Sequence, residues 1–269
     1  MPSATPTLSQ AERHHLLDHG YVAVEAFVAR DEVDRLRIIV DRLFSSRAGW
    51  EDGNQFDLAG LDDAANNAAL PQLLYPSKYA PELAESSFLQ RAREIAASLF
   101  GNDLADDYGE HMIVKPPYSG SETPWHQDQA YHDPAAIERS INFWMPLDDT
   151  DEENGCMHYV PGSNRHDVLP HHSIGDDPRV HGLEVDNAGQ YHEQAVACPL
   201  LAGGCVMHLP TTLHYAGPNT SSRQRRAYIL IMQATALPRD RPIDNYWMRE
   251  KRTARAEREA QSGRPGGTA

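Results

Sequence analysis

The sequence predicts a mainly β protein, a jelly roll or related barrel, with helices gathered at its N-terminal end. Two observations carry this. From His111 onward the chain breaks into short runs rich in β-branched and aromatic residues, punctuated by turns of Gly, Pro, Asn and Asp. Before His111 the apolar residues recur at helical spacing instead. Strands in one half and helices in the other argue against a parallel α/β sheet.

In chain order, Ser9 to Asp18 has a capping serine, an early glutamate and paired leucines, and it stops at Gly20, so it reads as a short helix. A strand over Tyr21 to Ala26 follows. Arg30 to Phe44 puts Val33, Leu36, Ile39, Val40 and Leu43 on one helical face. Ser45 to Leu70, rich in Gly, Asp and Asn and without periodicity, reads as a long surface loop. Pro81 to Phe100 is again helical, with Pro81 in its first turn and Gly101 as its cap. The expected strands are His111–Lys115, Trp125–Ala130, Ile141–Leu147, Met157–Val160, Ala195–Pro199, Gly204–Leu209, Leu213–Ala216 and Arg226–Thr235. His166 to Glu193 is acidic, bears histidines and is too long for a hairpin, which marks it as a lid or active-site flank. Residues 1–250 read as one domain, followed by a charged tail, 251–269, that begins helical and ends disordered.

With 269 residues, 40% of them hydrophobic, the chain can bury a sizeable core, and no apolar run approaches the ~20 residues of a membrane-spanning helix. The N-terminus has neither the basic region nor the apolar stretch of a secretory signal, which points to the cytoplasm. Cys156, Cys198 and Cys205 sit in no zinc-binding spacing and read as reduced thiols. A net charge of −15 argues against nucleic acid as a partner, because that needs clustered Lys and Arg. Oligomeric state is not legible in the sequence.

The run WHQDQAYH places His126 and Asp128 two residues apart, a spacing that on a strand turns both side chains to one face. His214, at the end of a later β-run, is where a jelly roll can return a third ligand to the same cavity. Two imidazoles and one carboxylate leave three octahedral positions open, which suits Fe(II) with a bidentate oxoacid and O2. Past His214 the chain turns over Gly217 to Ser222 and runs back through Arg225 and Arg226. A guanidinium there can hold the far carboxylate of an oxoacid with two parallel hydrogen bonds, and strand parity favours only one of the pair. His208 reads as a buried, hydrogen-bonded strand histidine and not a ligand, while His171 and His172 read as solvent-facing. Asn142 shares the face of Trp144 and is a candidate cavity residue. Tyr131 and His132, just past the ligand strand, are candidates for reaching substrate.

These marks, together with GYVAVEAFV, VKPPYSG, ENGCMHYVPGSNRH, GGCVMHLPTTLH and GPNTSSRQRRA, make the sequence resemble the phytanoyl-CoA dioxygenase family of Fe(II)/2-oxoglutarate oxygenases over about residues 8 to 240. The resemblance implies a double-stranded β-helix, a cupin-like jelly roll, flanked by N-terminal helices. It implies an oxidoreductase that uses Fe(II), 2-oxoglutarate and O2 on a small-molecule substrate. His126, Asp128 and His214 would be the iron ligands and catalytic centre. Arg225 would bind the 2-oxoglutarate carboxylate, with Gln127 and Trp144 beside that cosubstrate and Lys115 and His111 facing the same pocket. The family often has an apolar residue where His111 stands and a small polar one where Ala216 stands.

Hydroxylation with release of succinate and CO2, in specialised metabolism, is the expected outcome. Desaturation, ring closure and epimerisation use the same residues. A non-oxidative zinc site of the same ligands is the competing class, and Arg225 argues against it because a zinc hydrolase needs no oxoacid anchor. The lid carries no Lys/Arg cluster for CoA phosphates, which favours a small natural-product or amino-acid-like substrate.

Overall fold

The computed structural model describes residues 7–62 and 68–262. Ser9 caps α1 (Gln10–His19): its hydroxyl accepts from the Glu12 amide while the Glu12 carboxylate accepts from the Ser9 amide, and Gly20 ends the helix at φ 86°. β1 (Tyr21–Val24) follows, then α2 (Arg30–Ser45), whose buried residues are the five that the spacing puts on one face. The expected helix from Pro81 is two elements. Pro81–Glu85 is a 3-10 turn, and Ser86, extended at φ −67° and ψ 139°, caps α3 (Ser87–Phe100) through the Leu89 amide. Ser86 competes for the backbone and splits the pattern there.

The stretch expected to be a surface loop contains β2 (Gln55–Asp57), all three residues of which are buried. It pairs with β3 (Pro71–Leu74), and Phe56 is 1% exposed. One large apolar side chain in a three-residue strand gives no readable period, so the polar composition misled. The other strands are β4 (Leu104–Lys115), β5 (Thr123–His126), β6 (Ala136–Pro146), β7 (Met157–Tyr159), β8 (His171–Ser173), β9 (Leu183–Val185), β10 (Val196–Cys198), β11 (Cys205–His208), β12 (His214–Ala216) and β13 (Arg225–Pro238).

Seven strands form the larger antiparallel sheet in the order β1-β11-β6-β13-β4-β3-β2, and β10-β7-β12-β5 form the smaller one. This is the double-stranded β-helix with flanking helices. Alternation along β13 divides the core: Tyr228, Leu230 and Met232 pack with α2 and α3, whereas Ala227 and Ile229 face the smaller sheet. The first of these layers holds the helices on the sheet, and truncating a fully buried member such as Leu36 to alanine costs about 2–5 kcal/mol.

The chain after β13 closes back on the domain through α4 (Tyr246–Arg249) and α5 (Ala254–Gln261). Arg255 Nε donates to the Gly53 carbonyl at 2.8 Å and Arg258 Nε to that of Trp50 at 3.0 Å. The tail therefore starts helical, as its charge pattern suggests, but docked; its expected disordered end, 263–269, lies outside the described residues. No helix among the described residues is long and apolar enough to cross a membrane.

Candidate active site

β5 and β12 are neighbours in the smaller sheet, with His126 directly opposite His214. The strand expected over Trp125–Ala130 ends at His126. Gln127 is still extended (φ −120°, ψ 131°), and Asp128–Tyr131 turns as a 3-10 helix tied by the Gln129 amide to the Pro210 carbonyl at 3.0 Å. A turn, and not strand alternation, thus swings Asp128 beside the histidines.

Each imidazole is oriented by a backbone carbonyl. His126 Nδ1 donates to Pro124 at 2.7 Å and His214 Nδ1 to Thr212 at 2.9 Å, which leaves both Nε2 lone pairs for a metal. Both Nε2 atoms lie 3.6 Å from Asp128 Oδ1, and one donor atom from each of the three residues falls within 4.8 Å of the others. The second carboxylate oxygen, Oδ2, accepts from Asn142 Nδ2 and from His208 Nε2 at 2.9 Å, and His208 Nδ1 accepts from the Tyr159 hydroxyl at 3.1 Å. Burial alone would raise the Asp128 pKa, but its histidine neighbours, with His208 Nε2–H donating to Oδ2, hold the carboxyl well below its ordinary range. Burial also keeps His214 neutral, as a ligand must be. Two imidazole nitrogens and one carboxylate oxygen beside an open cavity fit a single Fe(II).

Arg225 opens β13 opposite Lys115. It is 1% exposed, its guanidinium carbon lies 5.4 Å over the Trp144 ring, and its Nε and Nη1 have no partner among the described residues. Burial pushes its pKa down to about 10, so it stays cationic at neutral pH. A buried cation with orphaned donors is unfavourable unless an anion joins it, and a planar carboxylate fits the fork. Arg226 faces the other way, paired with Asp148 through Nε and Nη2, both at 2.9 Å, and with Asp41.

One cavity of about 1010 Å³, counting its open mouth, brings together the triad, Arg225, Trp144, His111, Asn142, Tyr131 and His132. Two candidates do not join it. Gln127 sits between two ligands but points behind them, donating to the Thr211 carbonyl at 2.7 Å and accepting from the Leu169 amide at 2.8 Å. Extended backbone at residue 127 sends its side chain to the face opposite His126. Lys115 buries its ammonium against the Ala216 and Gly217 carbonyls, the Ala216 bond being 2.7 Å, and ties β4 to the end of β12. His171, expected at the surface, is fully buried: its Nε2 accepts from the Gln127 amide at 3.2 Å, so it bolts the lid to the ligand strand.

The lid itself is a hairpin, β8 with β9, and contributes Ile174, His181, Gly182 and Leu183 to the cavity. The Leu183 amide donates to the Tyr131 hydroxyl at 2.8 Å. His181 and Gln72 are cavity residues that sequence reasoning missed. His181 had only its place in the lid as a signal, and Gln72 had none, because its strand was unread.

The barrel and its two-histidine, one-carboxylate centre define a mononuclear non-haem iron oxygenase. The family model described as phytanoyl-CoA dioxygenase (PhyH) matches residues 16–227, and the chain belongs to that family. A probable alpha-ketoglutarate-dependent hypophosphite dioxygenase of Stutzerimonas stutzeri is 25% identical over 227 residues, 84% of this chain and 78% of that protein. The crystal structure of EvdO2 from Micromonospora carbonacea var. aurantiaca complexed with 2-oxoglutarate is similar at a TM-score of 0.77 and 36% identity, covering 92% of this chain and 99% of that one. The non-heme alpha ketoglutarate dependent carbocyclase SnoK from nogalamycin biosynthesis is similar at 0.68 and 25%, covering 86% and 87%. The chain is a 2-oxoglutarate-dependent, non-haem iron dioxygenase acting on a small molecule.

Proposed function

We propose that this enzyme hydroxylates a small metabolite of specialised metabolism, releasing succinate and CO2, with Arg225 holding the far carboxylate of 2-oxoglutarate. The observation that carries the reading is Arg225, whose Nε and Nη1 have no partner among the described residues, in the same cavity as the triad. Fe(II), 2-oxoglutarate and O2 together supply the oxidant when bound. The chain's part is placement and exclusion of water. His126, Asp128 and His214 hold the metal, while Asn142 and His208 pin Asp128 Oδ2 so that Oδ1 keeps one direction. Trp144 walls the guanidinium, and Tyr131 with Leu183 brings the lid down beside the ligand turn. The competing zinc reading leaves a buried arginine without a task.

Ring closure is a second outcome, suggested by the likeness to SnoK, described as a carbocyclase. The product decides between them. A screen of candidate substrates for succinate release above the uncoupled background should give a product one oxygen atom heavier. A product two hydrogens lighter would assign desaturation or ring closure instead, and 2-oxoglutarate left unconsumed throughout would overturn the reading.

A further inference from the structure

Beyond the triad and Arg225, the cavity wall is mainly apolar, with a few uncharged hydrogen-bonding groups set into it. We infer that the substrate is an uncharged molecule bearing several oxygen or nitrogen atoms, recognised by Gln72, His111 and His181 and not through an ion pair. The inference rests on the proposed role of Arg225.

Among the described residues lining the cavity, Arg225 is the one Lys or Arg and Asp128 the one Asp or Glu. Both have tasks, Asp128 at the metal and Arg225 toward the cosubstrate. A substrate carboxylate or phosphate would therefore meet no second cation, and a substrate ammonium no spare carboxylate. Burying either unpaired is strongly unfavourable. The nearest other charges are already turned away. Lys115 is spent on the Ala216 and Gly217 carbonyls, and Lys251 Nζ donates to those of Val180, His181 and Gly182 behind the lid. Glu110 is bound by Ser77 and Tyr228 on the helix side of the sheet, and Glu138 faces His132 at 3.3 Å.

What remains is neutral and uncommitted. β3 and β4 pair with Gln72 opposite Ile113 and Leu74 opposite His111, which puts Gln72 and His111 on the cavity face of adjacent strands. His181 reaches in from the lid, stacked on Tyr131 at 5.9 Å and edge-on to Phe56 at 4.7 Å. None of the three side chains has a hydrogen-bond partner among the described residues, although Gln72 is only 7% exposed. Burial pushes His111 down to about 4, and burial, then Arg255 and Lys251, holds His181 well below its ordinary range. Each ring therefore offers one donor and one acceptor. Polar groups that face a cavity without a protein partner can take one from a ligand, and three from three elements can fix a molecule's orientation. This favours the natural-product side of the sequence reading over the amino-acid-like one.

The test uses wild-type enzyme loaded anaerobically with Fe(II) and 2-oxoglutarate, whose visible charge-transfer band shifts when a molecule binds beside the iron. The probes are matched sets: alcohols, lactones and amides against the corresponding carboxylates, amines and acyl-CoA thioesters. Binding should be confined to uncharged members, and His111→Leu and Gln72→Leu should each weaken it about tenfold, the scale of one lost neutral hydrogen bond. A charged member binding more tightly than its uncharged partner, or no uncharged member binding, overturns the inference while the Arg225 reading stands. A wild-type enzyme that forms no band overturns both.

Discussion

Replacing Arg225 with alanine should raise the 2-oxoglutarate requirement by roughly 30-fold or more while leaving the iron site in place. The magnitude follows from burial. Arg225 is 1% exposed and its Nε and Nη1 have no partner among the described residues, so a bound carboxylate would satisfy donors that the Trp144 ring does not. Removing one partner of a buried, hydrogen-bonded charge pair costs about 2–5 kcal/mol, and the lower end is already about 30-fold in affinity. Arg226→Ala is the internal control. Its guanidinium is on the opposite face, 16% exposed and engaged by Asp148, so its loss should lower stability by about 1–3 kcal/mol yet change the 2-oxoglutarate requirement less than about threefold. Anaerobic titration of 2-oxoglutarate against the Fe(II) charge-transfer band measures both variants. A larger loss for Arg226→Ala, or none for Arg225→Ala, would refute the register of β13 on which the pocket is built.

Asp128→Ala should abolish coupled turnover, since it removes the one carboxylate among the ligands; normal product yield in that variant would take Asp128 out of the site. His214→Ala should lose iron, whereas His208→Ala should keep one iron at saturating Fe(II) with affinity lower by about 10–100-fold, because His208 hydrogen-bonds Asp128 Oδ2 and would act on a bound metal through that carboxylate. Metal analysis of the two folded variants checks this, and equal loss would make the assignment between them unsafe. Lys251→Met strips the donor from three lid carbonyls and should speed proteolysis within residues 166–193; unchanged cleavage would show that the C-terminal strap does not hold the lid.

The iron ligands were legible in the sequence because their chemistry demands particular residue types in a fixed order, and the wider motifs gave that order a fold. The geometric argument for His126 and Asp128 was nonetheless wrong in detail. Their convergence comes from the 3-10 turn at Asp128, which no Gly or Pro announces. Parity did separate Arg225 from Arg226, since both stand on a regular strand. It could not place Gln127 or Lys115, whose side chains answer carbonyls from distant segments, Thr211 and Ala216. His171 and His181 were unreadable for the same reason: the lid's acidic composition suggests solvent, while tertiary packing buries one ring against the ligand strand and turns the other into the cavity.

Anaerobic reconstitution followed by O2 tests the central claim most directly. With Fe(II), addition of 2-oxoglutarate should raise a weak visible charge-transfer band that decays when O2 is admitted, yielding succinate equimolar with the 2-oxoglutarate consumed; with Zn(II) there should be neither band nor succinate. An Fe(II) enzyme that forms no band, or a Zn(II) enzyme that forms as much succinate, would contradict the account.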